Sequence, residues 1–441
     1  MIDVRVPLPY KPVMNPLAVE LNAILKGSAA GALLSELGLR MFFPKGIVAQ
    51  SAEAKKQATR ANATIGIATK GGTPVFLEAI RSLVPGLTPD EIFPYAPTQG
   101  IEKLRELWKK EIIGKNPDIG GAEFSLPVVV PGLTAGISTL ADMFVNPGDT
   151  LIIPDLHWDN YPLIFETRRE AKIVLFPFYS DAGGFNVAGL AAAMKSAAGS
   201  GKIVLLLNFP NNPTGYSLSR AEADAVVKAV RDVAATGVRI LAITDDAYFG
   251  LFYEEQIYSQ SLFARFCSLH ENVLAAKVDG STKEDLTWGF RTGFITFASR
   301  GLTKDQYEAL VRKLMGALRS TISNSSILAQ NLIIHAMENP DRQREKEAAA
   351  RLLRSRYECV KQIVAGRKSS AIQALPFNSG YFMSFRLNRG TAEGLRKKLL
   401  AENGVGTIAI DERCLRVAFS SVDIEKLPEL YDLIYAAAEK L

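Results

Sequence analysis

The sequence predicts an α/β protein: a large αβα domain on a mostly parallel sheet, joined to a smaller α+β domain. Three observations carry this expectation. Between about Leu77 and Thr321, short aliphatic and β-branched runs alternate with amphipathic helical stretches, the order of a sheet covered by helices. The runs are apolar along their whole length, as strands buried on both faces are. The chain also has 441 residues, beyond the roughly 250–300 at which a single hydrophobic core stops growing, so two domains are expected.

The elements follow in chain order. The first 60 or so residues lack the alternation and are expected to return to the smaller domain. Ile101, Leu104, Trp108 and Ile112 recur at helical spacing after Gly100 and predict a helix with a core-facing stripe. Pro127 to Val130 reads as a strand that enters a Gly-Thr turn and then a helix ending at Asn146-Pro147-Gly148-Asp149. Thr150 to Pro154, Lys172 to Phe178, Lys202 to Phe209 and Arg239 to Asp246 read as further strands. Ser219-Arg220-Ala221-Glu222 is a capping box opening a helix whose inner face carries Val226, Val227, Val230 and Val233. After Glu338 the composition shifts: Pro340 to Lys368 alternates in charge with almost no turn residues, which predicts one long, largely exposed helix. The expected division is residues 61–325 for the large domain, with 1–60 and 326–441 building the small one from both chain ends.

Charge and composition narrow the function classes. Lys and Arg number 51 against 46 Asp and Glu, a net charge of +5 with the signs interleaved, which gives no footprint for nucleic acid. Cys267, Cys359 and Cys414 lie far apart, so neither a disulfide framework nor a metal spacing is present and a reducing compartment, the cytoplasm, is expected. The N-terminal stretch from Met1 to Gly27 has no basic region followed by an apolar one, so no cleaved leader is expected. Apolar runs such as Ile203 to Leu207 fall far short of the roughly 20 residues of a membrane helix.

Chemistry concentrates in a few segments. Val278 to Gly293 places Lys283 among small polar residues and Arg291 eight positions later, inside a Gly-x-Arg-x-Gly stretch. That suits an amine that must shed its proton beside a bound phosphate; taken alone, such a lysine is a solvated surface residue. Asn208 to Gly215 follows a buried strand and by itself is a turn. Asp245, in Thr-Asp-Asp-Ala-Tyr, ends another strand, at the edge where ligands of parallel sheets lie, although a helix N-cap is an equal reading. Gly132 to Gly136 joins a strand to a helix, where free N–H groups and the helix dipole favour an anion.

In this order and spacing, N-N-P-T-G, D-x-A-Y and K-x₇-R resemble the class I/II aminotransferases, pyridoxal-phosphate enzymes of fold type I, from about Leu77 onward. The resemblance implies a role for each matching residue. Lys283 would hold pyridoxal 5′-phosphate covalently and shuttle a proton, Arg291 would grip the phosphate, and Asp245 would pair with the pyridine nitrogen. Tyr248 and Asn212 would bond the phenolate oxygen, and Trp158 would stack on the ring. Gly132, Leu133 and Thr134 would form the phosphate cup, and Tyr95 would reach the neighbour's phosphate across a homodimer with composite sites. Arg416 would clamp the substrate α-carboxylate, with Arg413 as the alternative, and Gly66 and Asn212 would also face substrate. The family's serine three positions before the lysine is Gly280 here, so Ser281 or Thr282 would take over its contact. Lys277 is the one nearby rival to Lys283, at 14 residues from Arg291 instead of eight.

The implied activity is ping-pong transfer of an amino group between an L-amino acid and a 2-oxo acid, 2-oxoglutarate being the expected acceptor. A C–S lyase or another enzyme cleaving a Cα bond on the same fold is the alternative, with a non-enzymatic regulator behind it. Arg319 opens an R-x₄-N segment that, in aspartate-type members, sends an arginine to a distal carboxylate; its trailing prolines are replaced by Ser325 and Ser326, and an apolar side-chain pocket is the competing expectation. No metal, nucleic acid or membrane partner is expected.

Overall fold

Seven strands build the central sheet: β1 (Val128–Val130), β2 (Thr150–Pro154), β3 (Lys172–Phe176), β4 (Lys202–Asn208), β5 (Arg239–Asp245), β6 (Val273–Asp279) and β7 (Gly293–Ala298). The structure is a computed structural model and describes residues 13–26, 34, 36–41, 46–64 and 66–441; residues 1–12 and 27 of the segment read for a leader lie outside them. The strand order is β1-β7-β6-β5-β4-β2-β3. Pairs β2–β3, β2–β4, β4–β5 and β5–β6 are parallel, while β7 runs antiparallel to both β6 and β1.

The antiparallel direction of β7 has a local cause. No crossover helix separates β6 from β7, so the chain turns back on itself, and Phe294 pairs with Asp279. That excursion, residues 280–292, contains both Lys283 and Arg291, which is why both lie at one edge of the sheet.

Nine helices are used below: α1 (Ile47–Gln57), α2 (Glu102–Lys115), α3 (Leu133–Phe144), α4 (Arg220–Ala234), α5 (Lys304–Thr321), α6 (Ile327–Glu338), α7 (Asp341–Ala365), α8 (Ala392–Asn403) and α9 (Leu427–Glu439). Strand alternation divides the apolar runs between two layers. Leu205, Leu207 and Ile240 face α2 and α4, where Trp108, Val226 and Val230 are buried; Val204, Leu206 and Leu241 face α3 and α5, where Leu140 and Leu314 are buried. Each such side chain contributes about 1.5–3 kcal/mol by leaving water. The capping box at Ser219 forms as read, with Glu222 N donating to Ser219 Oγ and Ser219 N to Glu222 Oε2.

The second core lies on a four-stranded antiparallel sheet of β8 (Ile372–Ala374), β9 (Phe382–Leu387), β10 (Ile408–Ala409) and β11 (Cys414–Ala418), in the order β8-β9-β11-β10. Leu353, Tyr357 and Val360 of α7 pack there with Leu395, Leu399, Tyr431 and Ile434. The early chain returns to it: Ala61–Asn62 pairs in parallel with Val405–Gly406, and Gln50 of α1 exchanges two hydrogen bonds with the backbone of Ala409. Helix α6 behaves otherwise, since its Ile333 and Ile334 belong to the first core. Helix α7 spans both units; its 25 residues make a rod of about 37 Å. Among the described residues, no helix is long and apolar enough to cross a membrane.

Candidate active site

Strands β4, β5 and β6 end side by side at the carboxyl edge of the sheet, the edge at which such sheets place ligands. A cavity opens there. Leu133, Thr134, Trp158, Asn212, Asp245, Tyr248, Lys283 and Arg291 line it, together with Asn208, Ala247 and Thr282.

Lys283 stands on a single helical turn, Ser281–Glu284, directly after β6. Its ammonium makes no hydrogen bond or ion pair to another described residue and lies 4.7 Å from the centre of the Tyr248 ring. Burial outweighs the attraction of Asp245 and lowers its pKa to about 8, with Arg291 adding repulsion. Lys277, the rival in sequence, is spent elsewhere. It is buried on the opposite side of the sheet, paired with Asp246 and, at 3.2 Å, with Asp279.

Asp245 is buried at the end of β5, and each oxygen is held: Oδ2 accepts the Tyr161 hydroxyl at 2.6 Å, and Oδ1 the Ala247 N–H at 3.1 Å. Burial raises its pKa, while the Tyr161 bond and the Lys283 charge pull it back. Sequence reasoning missed Tyr161 and Asn208. Asn208 carries the signal that singled out Asp245, a polar residue at the carboxyl end of a parallel strand, and the two are in register. Its Nδ2 donates to the Asp245 carbonyl at 2.7 Å and its Oδ1 accepts from Asn212 N at 2.8 Å, which fixes the turn. Tyr161 carries no signal of its own; it meets Trp158 edge-on at 5.5 Å and reaches Asp245 through the fold alone.

An anion cradle closes the cavity at α3. Gly132 caps that helix at φ 89°, a conformation glycine adopts at little cost, and a Cβ there would stand 2.5 Å from Arg291 Nη2. The first-turn N–H groups of α3 have no partner within the helix and point at the same place. Arg291 donates to the Trp288 carbonyl at 3.2 Å and meets no carboxylate among the described residues, which leaves its charge free for an anion.

The expectation for Ser281 needs correction. Its side chain is fully buried, with its Oγ accepting from Thr287 Oγ1 at 3.0 Å, and Thr282 is the residue that lines the cavity. Gly280 has a steric reason: a Cβ there would meet the Thr292 carbonyl oxygen at 2.6 Å and Gly293 Cα at 2.9 Å, where β7 folds back. Gly280→Ser is therefore expected to lower stability by about 1–3 kcal/mol. An unchanged urea midpoint would contradict this packing.

From the second unit, Arg416 on β11 enters the site. It is buried, donates to Asn212 Oδ1 at 2.8 Å and to the Thr64 carbonyl at 3.1 Å, and lies 4.2 Å over the Phe382 ring. Its Nε has no partner, and among the described residues no carboxylate pairs with it. Burial lowers its pKa to about 10. Arg413, the alternative, is exposed. Gly66 lies beside this group, where a Cβ would be 3.7 Å from the Tyr248 hydroxyl. Tyr95 and Arg319 are not brought to the cavity either: Tyr95 is 89% exposed, and Arg319 is exposed at the end of α5, bonded to Ser323.

A family model described as aminotransferase class I and II matches residues 70–434. The aspartate aminotransferase of Bacillus sp. (strain YM-2) is 27% identical over 263 residues, 57% of this chain and 60% of that one. The chain thus spans less than two thirds of the first curated relatives it matches, 60% and 57% of their lengths. In fold it is similar to a crystal structure of an aminotransferase from Anaerococcus prevotii, at TM-score 0.81 and 23% identity, covering 92% of this chain and 99% of that one. It is likewise similar to Pyrococcus horikoshii kynurenine aminotransferase in complex with PMP, at TM-score 0.78 and 16% identity, covering 94% and 98%.

Proposed function

Because this chain belongs to the class I and II aminotransferases, we propose that it moves an amino group between an L-amino acid and a 2-oxo acid, with pyridoxal 5′-phosphate held in the cavity described. The observation that carries the reading is convergence: an unpaired lysine, a fixed carboxylate and an anion cradle meet at one cavity, and Arg416, from the second structural unit and with no acidic partner among the described residues, is bonded to Asn212 in its wall. The residues fit the cofactor. Gly132, Leu133, Thr134 and Arg291 would hold its phosphate, Asp245 its ring nitrogen, Trp158 its ring face, and Lys283 its carbonyl carbon.

When bound, the cofactor supplies a carbonyl that takes the amino group from one substrate and gives it to the next, with a ring that accepts the electron pair of the breaking Cα–H bond. The protein's share is orientation and proton traffic. Arg416 receives the α-carboxylate in a forked, charge-assisted contact that replaces the acidic partner it lacks. Its bond to Asn212 sets the angle of the fork. Lys283, once its amine is free, removes the Cα proton and returns it elsewhere, and its lowered pKa suits that work near neutral pH. Tyr161 keeps the Asp245 carboxylate aimed without neutralising it. Aromatic walls from Trp158, Tyr248 and Phe382 exclude water.

Tyr95 and Arg319 fit a homodimer in which each subunit completes its partner's site, a reading their exposure supports. We place the enzyme in the cytoplasm, with amino and 2-oxo acids as its small-molecule partners.

The test is spectroscopic. The yellow cofactor absorbance should bleach on adding an L-amino acid and return with 2-oxoglutarate, across a panel of acidic, aromatic and aliphatic amino acids. Sustained release of pyruvate and ammonia without an acceptor would sink the reading in favour of a lyase. A second expectation comes from the Lys283 pKa. Burial penalises the ammonium, so the neutral amine grows as pH rises through about 8. Covalent capture of pyridoxal phosphate by cofactor-free protein should therefore accelerate up to that pH and then level off; a rise continuing toward the ordinary lysine value of about 10.4 would contradict it.

A further inference from the structure

We propose that Arg342 and Lys346, on the first turns of α7, are positioning residues for Lys283: they clamp the residues that follow it and tie it to the unit that carries Arg416. The proposal rests on the reading of Lys283 as the cofactor-holding lysine.

Glu284 and Asp285 come straight after Lys283, and both are ion-paired. Arg342 grips Asp285 with two prongs, Nε to Oδ1 at 2.9 Å and Nη2 to Oδ2 at 3.2 Å, and both side chains are buried. Its third nitrogen, Nη1, donates to Glu111 Oε1 at 2.6 Å. Lys346 donates to Glu284 Oε1 at 2.8 Å, and Lys115 of α2 pairs with the same oxygen and with Glu111. Three carboxylates thus meet three cations in one closed cluster. Leu286 comes next with φ 58°, a conformation that a side chain of its kind rarely adopts, and it packs among Leu77, Ile80 and Ala336, with Ala349 of α7 against the same cluster. None of these groups lines the cavity.

The other half of α7 grips the rest of the site. Arg356 donates to the carbonyl of Ser420, four residues after Arg416, and to that of Thr69 at 2.5 Å. Arg354 donates to the carbonyls of Phe252 at 3.2 Å and Tyr253 at 2.5 Å, just after Tyr248. One helix therefore holds the chain next to Lys283 at one end and the chain next to Arg416 and Tyr248 further along. A continuous helix is stiff over this length, so the clamp sets where the lysine amine stands relative to the arginine fork.

The test uses the whole chain, loaded with pyridoxal phosphate for turnover and stripped of it for cofactor capture, with Arg342→Met and, as a gentler change that leaves Lys115 on Glu284, Lys346→Met. Borohydride reduction followed by peptide mass spectrometry reads the pyridoxyl adduct, and its pH dependence reads the Lys283 amine. In Arg342→Met we expect kcat to fall about 10²-fold, the penalty of an ångström-scale misplacement, with KM changing far less. The pH midpoint of adduct formation should also move up from about 8 toward the solvated lysine value of about 10.4. Lys346→Met should show the same directions with smaller amplitude, and Arg342→Lys should recover part of the loss. An adduct at Lys283 with unchanged midpoint and kcat in both Met variants, whatever their Tm, overturns the clamp and leaves the lysine's role standing. No adduct at Lys283 in the unsubstituted protein overturns that role, and the clamp with it.

Discussion

Lys283→Ala is expected to end covalent retention of pyridoxal phosphate and to slow amino-group transfer by about 10⁴-fold. Nothing nearby substitutes for the amine. Lys277 is on the far side of the sheet, neutralised by Asp246 and Asp279, and the remaining cations of the site are guanidiniums, which do not lose a proton near neutral pH. The anion cradle at Gly132 and Arg291 is untouched by the substitution. The variant should still bind the cofactor reversibly, through its phosphate, and dialysis should strip it. Retention of a borohydride-stable adduct in Lys283→Ala would refute the assignment. Stability should hardly fall, because the side chain removed is an ammonium with neither hydrogen bond nor ion pair among the described residues.

Arg416→Met should lower kcat/KM by about 10²–10⁴-fold, mostly through KM. Two charge-assisted bonds to a carboxylate, at about 1.5–3 kcal/mol each, account for that loss. The fold should tolerate the change. Taking away a buried charge with no acidic partner offsets the bonds lost to Asn212 and Thr64, so stability should change by no more than about 1 kcal/mol. The sign follows from the lowered arginine pKa. The folded state holds this proton less firmly than the unfolded one, so the burial penalty is in force throughout the range below about 10 and is relieved as pH rises above it. A calorimetric Tm that collapses along with activity would show that Arg416 is a structural residue instead. Thermal protection by a small carboxylic acid, present in the parent and absent in Arg416→Met, would separate binding from packing.

Much of this architecture was legible because its signals are local. The apolar runs of β2, β4 and β5 announce strands buried on both faces, and the stripe of Leu104, Trp108 and Ile112 announces the inner side of α2. Lys283, Asp245 and Asn212 could be singled out because they stand in motifs whose spacing reflects one strand end each. Other features are set by contacts distant in sequence. β7 is not among the strands read from the sequence, and only pairing with β1 and β6 reveals its direction. Tyr161 meets Asp245 across 84 residues, and Arg342 meets Asp285 across 57, with no pattern in either neighbourhood. Ser281 and Thr282 are adjacent hydroxyls in one helical turn. Which of them faces the cavity depends on the angle at which that turn leaves β6, and Gly280 sets that angle through its contact with Thr292.

The pairing of Ala61–Asn62 with Val405–Gly406 also has a consequence for synthesis. At about 5–20 residues per second, the early strand waits roughly 20–70 s on the ribosome before its partner is made. During that interval the first core, whose strands lie between Val128 and Ala298, can close, while α1 and the segment after it remain without the β10 edge they will cover. The second unit is thus the late one to fold. Arg416 comes with it, so the cofactor pocket can exist before the chain is able to hold a substrate.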